Sequence, residues 1–175
     1  NPFQDKEIIK DIQVKKASTM YNNGTQMSSR QQRAICQALS GKLNYPVSHL
    51  NLDIAFPNLQ IYIEYDGSGH DLCTTIGNLT ADEFKRKGQD RYYFLKNRGW
   101  RYIRIVSKTD LIPARKEIHE LFRIAKRALE SRSWVEFDLD AQVLRTRDSA
   151  IKLKLETLKR LPKRKKSRKR VKAKT

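Results

Sequence analysis

The chain has 175 residues, which suits one domain or one domain with an extension and is enough to bury a core. Its 37 Lys and Arg against 19 Asp and Glu leave a net charge of +18, a balance that favours a polyanionic partner. No apolar run approaches the length of a membrane span, and the polar, charged first residues do not read as a signal peptide, so a cytoplasmic protein without a membrane partner is expected.

In chain order, Ile8, Ile9 and Ile12 lie at helical spacing and predict a short amphipathic helix over 5–17, with a loop over 18–29 around Asn22-Asn23-Gly24. A second helix is expected over 29–39. Ser28 or Ser29 would cap it, Ala34, Ile35, Ala38 and Leu39 form its apolar face, and Gly41 would stop it. Residues 42–50 lead into the stretch from Leu52 to His70, where Asp53 opens an apolar segment, Pro57-Asn58 makes a turn and Ile61-Tyr62-Ile63-Glu64-Tyr65-Asp66 forms a strand. Strand side chains alternate, so Leu59, Ile61, Ile63 and Tyr65 face one way and Gln60, Tyr62, Glu64 and Asp66 the other. If the turn closes a hairpin, Asp53 joins Glu64 and Asp66 at one sheet edge. Three carboxylates there repel one another unless a hard cation lies between them, and an oxygen-only cluster suits Mg²⁺ or Mn²⁺. Acids on a solvated strand face are the ordinary alternative.

A Thr/Gly/Asn-rich loop over 74–78 precedes a helix over 81–98, with Thr80 as its cap, Phe84, Gly88, Arg91 and Leu95 on one stripe, and Gly99 as its stop. Residues 100–106 read as a strand with Ile103 and Ile105 on one face. Pro113 then opens a helix to about residue 131 that buries Ile118, Leu121, Phe122, Ala125 and Leu129. The composition shifts past Trp134, and Ile151, Leu153, Leu155 and Leu158 fit either a helix or a strand. From Pro162 onward apolar residues almost vanish. The run Lys163, Arg164, Lys165, Lys166, Arg168, Lys169 and Arg170 reads as an arm for nucleic acid, against the alternative of a solubilising or import-type tail. Cys36 and Cys73 allow at most one disulfide and are expected as free thiols. With three scattered histidines they fall short of the roughly four ligands of a zinc site. The order of elements predicts an α/β fold with a small mixed sheet flanked by helices and a basic C-terminal extension, divided at 1–134 and 135–175.

Asp53 before an apolar strand, then Ile63-Glu64-Tyr65-Asp66-Gly67 with His70 three residues on, resembles the PD-(D/E)xK nuclease superfamily. The likeness is to its very-short-patch-repair branch, and most of all to phage-type homing endonucleases described by an EDxHD motif. Arg91, Leu95, Gly99-Trp100 and Arg104 extend it, and it covers residues 29–106. The resemblance implies a restriction-endonuclease-like core, hydrolysis of phosphodiester bonds in double-stranded DNA, a Mg²⁺ or Mn²⁺ cofactor, and a homodimer as one arrangement. A phage-encoded enzyme would act in the host cytoplasm. A mismatch-repair or restriction-type nuclease is the alternative within the class, and a non-catalytic basic nucleic-acid-binding protein is the alternative outside it.

Three departures stand out. Asp66 occupies the superfamily's lysine position, Gln32 stands roughly where relatives often carry a glutamate, and the zinc cysteines of the repair enzymes have no counterpart. On this reading Asp53 is the principal metal ligand, completed by Glu64 or the Tyr65 carbonyl. Asp66 is a second ligand or orients a water. His70 is the general base, since its pKa lies near the working pH, and Asp71 orients it. Arg91 pairs with a carboxylate or touches a phosphate, and Asp90 is a weaker candidate. The two glycines flanking Ser68 would let a substrate backbone approach.

Overall fold

The computed structural model describes residues 2–69, 77 and 79–162. His70, Asp71, Cys73 and the basic run Lys163–Arg170 lie outside the described residues.

Helix α1 (Pro2–Asn22) runs further than the periodicity predicts. Residues 18–22 stay helical because they have something to pack on: Ala17 is buried, and the Tyr21 ring meets Tyr45 edge-on at 5.7 Å. The face marked by Ile8, Ile9 and Ile12 is not the packed one, and all three are more than half exposed. Helix α2 (Arg30–Leu39) begins with a capping box. Ser29 Oγ accepts from the Gln32 backbone N–H at 3.0 Å, and Gln32 Oε1 accepts from the Ser29 backbone N–H at 2.6 Å. The helix stops at Ser40, which takes the left-handed conformation (φ 55°), rather than at Gly41. Gly41 is needed for another reason: a Cβ there would stand 2.7 Å from Ile54 Cγ2.

Strands β1 (Lys42–Val47) and β2 (Leu50–Phe56) form an antiparallel hairpin, so residues 42–47 are a strand rather than a lead-in. Pro46 is tolerated because β1 is the edge of the sheet. A 3₁₀ turn at Pro57–Leu59 joins β2 to β3 (Ile61–Asp66), also antiparallel. Helix α3 (Ala81–Lys96) starts with a second capping box, Thr80 with Glu83, and the chain turns at Gly99 (φ 82°) into β4 (Arg101–Val106), parallel to β3. After β5 (Leu111–Ile112), helix α4 (Arg115–Ala128) buries the five apolar residues its spacing predicts, Phe122 only partly. Strand β6 (Trp134–Asp138) lies parallel to β4 and carries the sheet across the boundary drawn at residue 134. Strands β7 (Val143–Arg145) and β8 (Ala150–Lys152) extend it antiparallel, giving the order β1-β2-β3-β4-β6-β7-β8.

The described residues thus form an α/β fold with a seven-stranded mixed sheet and four helices. Residues 151–158 are not helical. Past β8 the chain is an extended strap whose Leu153, Leu155, Leu158 and Leu161 pack on the core, and β9 (Lys159–Arg160) pairs with β5. Glu117 of α4 fastens the strap by accepting from the backbone N–H of Glu156 at 2.7 Å and from Thr157.

The two faces of the sheet are unlike. Ile54, Ile61, Ile63, Tyr65, Ile103, Ile105, Val135 and Phe137 face α2 and α4 in the main core, as strand parity predicts. The other face carries a smaller cluster of Leu52, Ala55, Tyr62, Leu95 and Trp100 under α3, and beyond it opens into a cleft. No described helix is long and apolar enough to cross a membrane.

Candidate functional site

The cleft over the open face encloses about 1130 Å³. Its floor is built by parity: Glu64 and Asp66 from β3, Tyr102 and Arg104 from β4, and Glu136 from β6 point up, while their neighbours point down into the core. Asp53 reaches the same space by the same alternation, next to the core-facing Ile54. The β1–β2 ladder steps from Leu43↔Ile54 to Tyr45↔Leu52, passing over Asn44 and Asp53, and Asn44 sits at φ 53°. Antiparallel pairing of Ile54 with Ile63 puts Asp53 one step further along, beside Glu64.

Four contacts fix these two acids. Gln32 Nε2 donates to Asp53 Oδ2 at 2.5 Å, and the Tyr65 backbone N–H also hydrogen-bonds to Asp53. Arg91 Nε donates to Glu64 Oε1 at 2.7 Å, and the Tyr102 hydroxyl donates to Glu64 Oε2 at 3.1 Å. The remaining reach of Arg91 goes to the Asn51 carbonyl at 2.8 Å, which ties α3 to β2. Burial is the largest influence on Asp53 and the charge of Glu64 the next. Together they push its carboxyl up to about 7, against the opposing pull of Arg91 and of the two hydrogen bonds. Burial and the Glu64 carboxylate likewise raise the Tyr102 hydroxyl far above its ordinary value, so Tyr102 stays a donor.

Asp66 departs from the expected triad. It lines the same cleft, but Arg104 Nε donates to its Oδ2 at 2.5 Å and Arg104 Nη1 reaches Glu136 at 3.0 Å. Arg145 continues the series, bonding Glu136 at 3.1 Å and Asp138 at 2.8 Å. Among the described residues no three acids, histidines or cysteines gather closely enough to hold a metal. The reason is partly spacing, since residues two apart on a strand lie about 6.6 Å apart along it, and partly the cation from β4. Tyr65 contributes only its backbone; its side chain lies on the core face, with the hydroxyl donating to the Leu111 carbonyl at 2.6 Å.

The glycines after Asp66 also differ in role. Gly67 lines the cleft, and a Cβ there would meet Asp110 Oδ1 at 2.5 Å. Asp110 accepts from the Ser68 backbone N–H at 2.8 Å and from the Ser68 hydroxyl at 2.6 Å. Gly69 faces open space. Tyr62 and Tyr102 stack at 4.8 Å, and Trp100 is core, so these aromatic rings are structural.

Asp53 and Glu64 remain as two adjacent carboxylates, with the further oxygen of the Tyr65 carbonyl close in sequence. An oxygen-only pair fits a hard divalent ion, since Mg²⁺ commonly takes one or two protein carboxylates and fills its shell with water and phosphate oxygens. Residue-by-residue reading missed Tyr102, Arg104, Glu136 and Asp110. The first two were within reach of it, because Ile103 and Ile105 on one face put Tyr102 and Arg104 on the other.

No family model, curated protein or solved structure matches the chain.

Proposed function

We propose that the chain is a metal-dependent DNA endonuclease that hydrolyses phosphodiester bonds, most like a phage-type homing endonuclease, with a restriction-endonuclease-like core over residues 29–106. The observation that carries this reading is the pairing of Asp53 with Glu64 on adjacent strands at the floor of an open cleft, in a chain of net charge +18. A protein that only binds phosphate gains nothing from two neighbouring acids where its ligand docks. Supporting it is the order of elements, α2, then the β1-β2-β3 meander, then α3, then β4 parallel to β3, which leaves both acids on the open face of the sheet.

Asp53 and Glu64, with the Tyr65 carbonyl, would hold Mg²⁺ or Mn²⁺, and the bound ion would supply an activated water and charge neutralisation at the phosphate. The protein's own groups prepare that site. Gln32 keeps Asp53 Oδ2 turned toward α2, and Arg91 with Tyr102 keeps Glu64 in one rotamer. Arg104, supplied from β4, stands on the same face and is held between Asp66 and Glu136. His70 is proposed as the general base. The basic run Lys163–Arg170 adds phosphate contacts, and double-stranded DNA is the substrate. A homodimer in the cytoplasm is the arrangement that suits a two-strand cut.

The ion pairs on Glu64 and Asp66 favour a second reading, a DNA-binding protein that has kept the fold without the reaction. One experiment separates them. Supercoiled plasmid is incubated with the full chain in Mg²⁺, in Mn²⁺ and in EDTA. Nicked or linear product with metal alone supports the nuclease. Retarded but uncut plasmid in every condition sinks it.

A further inference from the structure

The guanidinium groups that line the main cleft are neutralised: Arg91 by Glu64, and Arg104 by Asp66 and Glu136. Those on its flank are not. A second cleft of about 400 Å³ is lined by Arg30 at the start of α2, Lys108 and Thr109 after β4, and Arg160 on β9. None of its three cations makes an ion pair among the described residues. Two are anchored without being neutralised: Arg30 Nη1 donates to the Pro162 carbonyl, and Arg160 Nε donates to the Thr109 carbonyl at 2.8 Å. A guanidinium held by one N–H on a carbonyl keeps its charge and several donors, in a fixed direction. Asp110 is the one acid of this lining, and Ser68 occupies both of its oxygens.

The two clefts are contiguous, since Gln31 and Asp110 line both. Sequence-distant elements are needed to assemble the second one. The strap brings β9 back across the core and leaves Pro162 against Arg30, one residue before the basic run begins. The fold thus uses its C-terminal strap to gather three cations around one lining acid, Asp110.

We infer that Arg30, Lys108 and Arg160 form a second phosphate site, which grips successive backbone phosphodiesters, one per cation, of the DNA strand as it leaves the cleft holding Asp53 and Glu64. The inference rests on the nuclease reading for the identity of the polyanion, but not for cleavage. Planar guanidinium forks match phosphate oxygens in pairs, and Lys108 adds a point charge.

The test is duplex DNA binding by fluorescence anisotropy in EDTA across a range of salt, using the full chain. Each phosphate contact contributes about 0.9 to the slope of log K against log salt. Lys108→Gln with Arg160→Gln is expected to lower the slope by about 1.8 and weaken binding at low salt. Lys126→Gln with Arg127→Gln, the same charge loss on exposed positions of α4, is expected to leave it near wild type. Arg160→Lys, which keeps the charge, should retain most of the slope, and the single Lys108→Gln should lower it by about 0.9 without touching β9. Equal losses in the flank pair and the α4 pair overturn the site in favour of diffuse charge, and so does an unchanged slope in Lys108→Gln. If the slopes fall as expected while plasmid stays uncut in Mg²⁺, the phosphate site stands and the nuclease reading fails.

Discussion

Gln32 touches both ends of its surroundings at once: its Oε1 accepts from the Ser29 backbone N–H that starts α2, and its Nε2 donates to Asp53 on β2. The capping box therefore fixes the rotamer that reaches the candidate site. Glutamate would keep the cap, and would do so as the commoner capping-box residue. It would lose the donor and add a third negative charge beside Asp53 and Glu64. Gln32→Glu is thus expected to lower the melting temperature in EDTA at pH 8, and to recover as Mg²⁺ is added. In the plasmid assay it should reach half activity at lower Mg²⁺ and cut faster. Superimposable Mg²⁺ titrations of both forms would remove position 32 from the site.

Asp53 makes the metal-free protein pH-sensitive. Its carboxyl titrates near 7 when folded and near the ordinary 3.8 when unfolded. The folded state holds the proton more tightly, so the associated stability is full below about pH 4 and is lost as pH rises through 7. At about 1.4 kcal/mol per unit, the complete effect is on the order of 4 kcal/mol. Asp53→Asn cannot ionise and still accepts from Gln32. In EDTA it is expected to melt above wild type at pH 8, with the gap narrowing toward pH 5. Parallel profiles would mean that Asp53 is ionised throughout. The same variant should bind DNA undiminished and cut none.

Two glycines make opposite predictions. A methyl at Gly41 meets Ile54 Cγ2 at 2.7 Å and Phe56 Cζ at 3.0 Å, and Ile54 is fully buried with nowhere to move. Gly41→Ala should cost about 1–3 kcal/mol, the usual penalty of overpacking. Gly88 lies mid-helix in α3 with nothing within 4 Å of its would-be Cβ, so Gly88→Ala should stabilise by about 1 kcal/mol through helix propensity. Chemical denaturation of both variants checks the pair. A neutral Gly41→Ala would show that β2 can shift away from α2.

The helices α2, α3 and α4 and the strands β3 and β4 were readable because each buries one face and shows its period. Strand β1 was not, since Asn44 and Pro46 break its pattern and its edge position tolerates both. Strands β6 and β7 looked like a charged extension. Glu136, Asp138 and Arg145 are indeed charged, but they satisfy one another across the sheet, which local sequence does not reveal. The same limit explains Asp66. Parity put it on the face of Glu64, and it is there. What parity cannot supply is the cation opposite it, Arg104, which comes from a strand 38 residues later and converts an expected ligand into an ion pair. Gln32, by contrast, was reachable from its place one turn before Ile35.

Arg91 is the group on which both candidate ligands depend. It bonds Glu64 and the Asn51 carbonyl with different nitrogens, and its charge also holds the Asp53 carboxyl lower than burial alone would leave it. Removing the charge leaves Glu64, among the described residues, with the Tyr102 hydroxyl. A partly buried acid stripped of its cation costs about 1–3 kcal/mol. The cost should depend on pH, because Asp53, pushed up to about 7, carries a proton at pH 5.5 and a negative charge beside Glu64 at pH 8. Arg91→Gln is therefore expected to lose more stability at pH 8 than at pH 5.5, measured by urea unfolding in EDTA. Arg91→Lys restores the charge but cannot span two acceptors in different directions, so it should recover only part of the loss. A pH-independent cost in Arg91→Gln would show that Arg91 acts through the Asn51 carbonyl, joining α3 to β2, and not through the two acids.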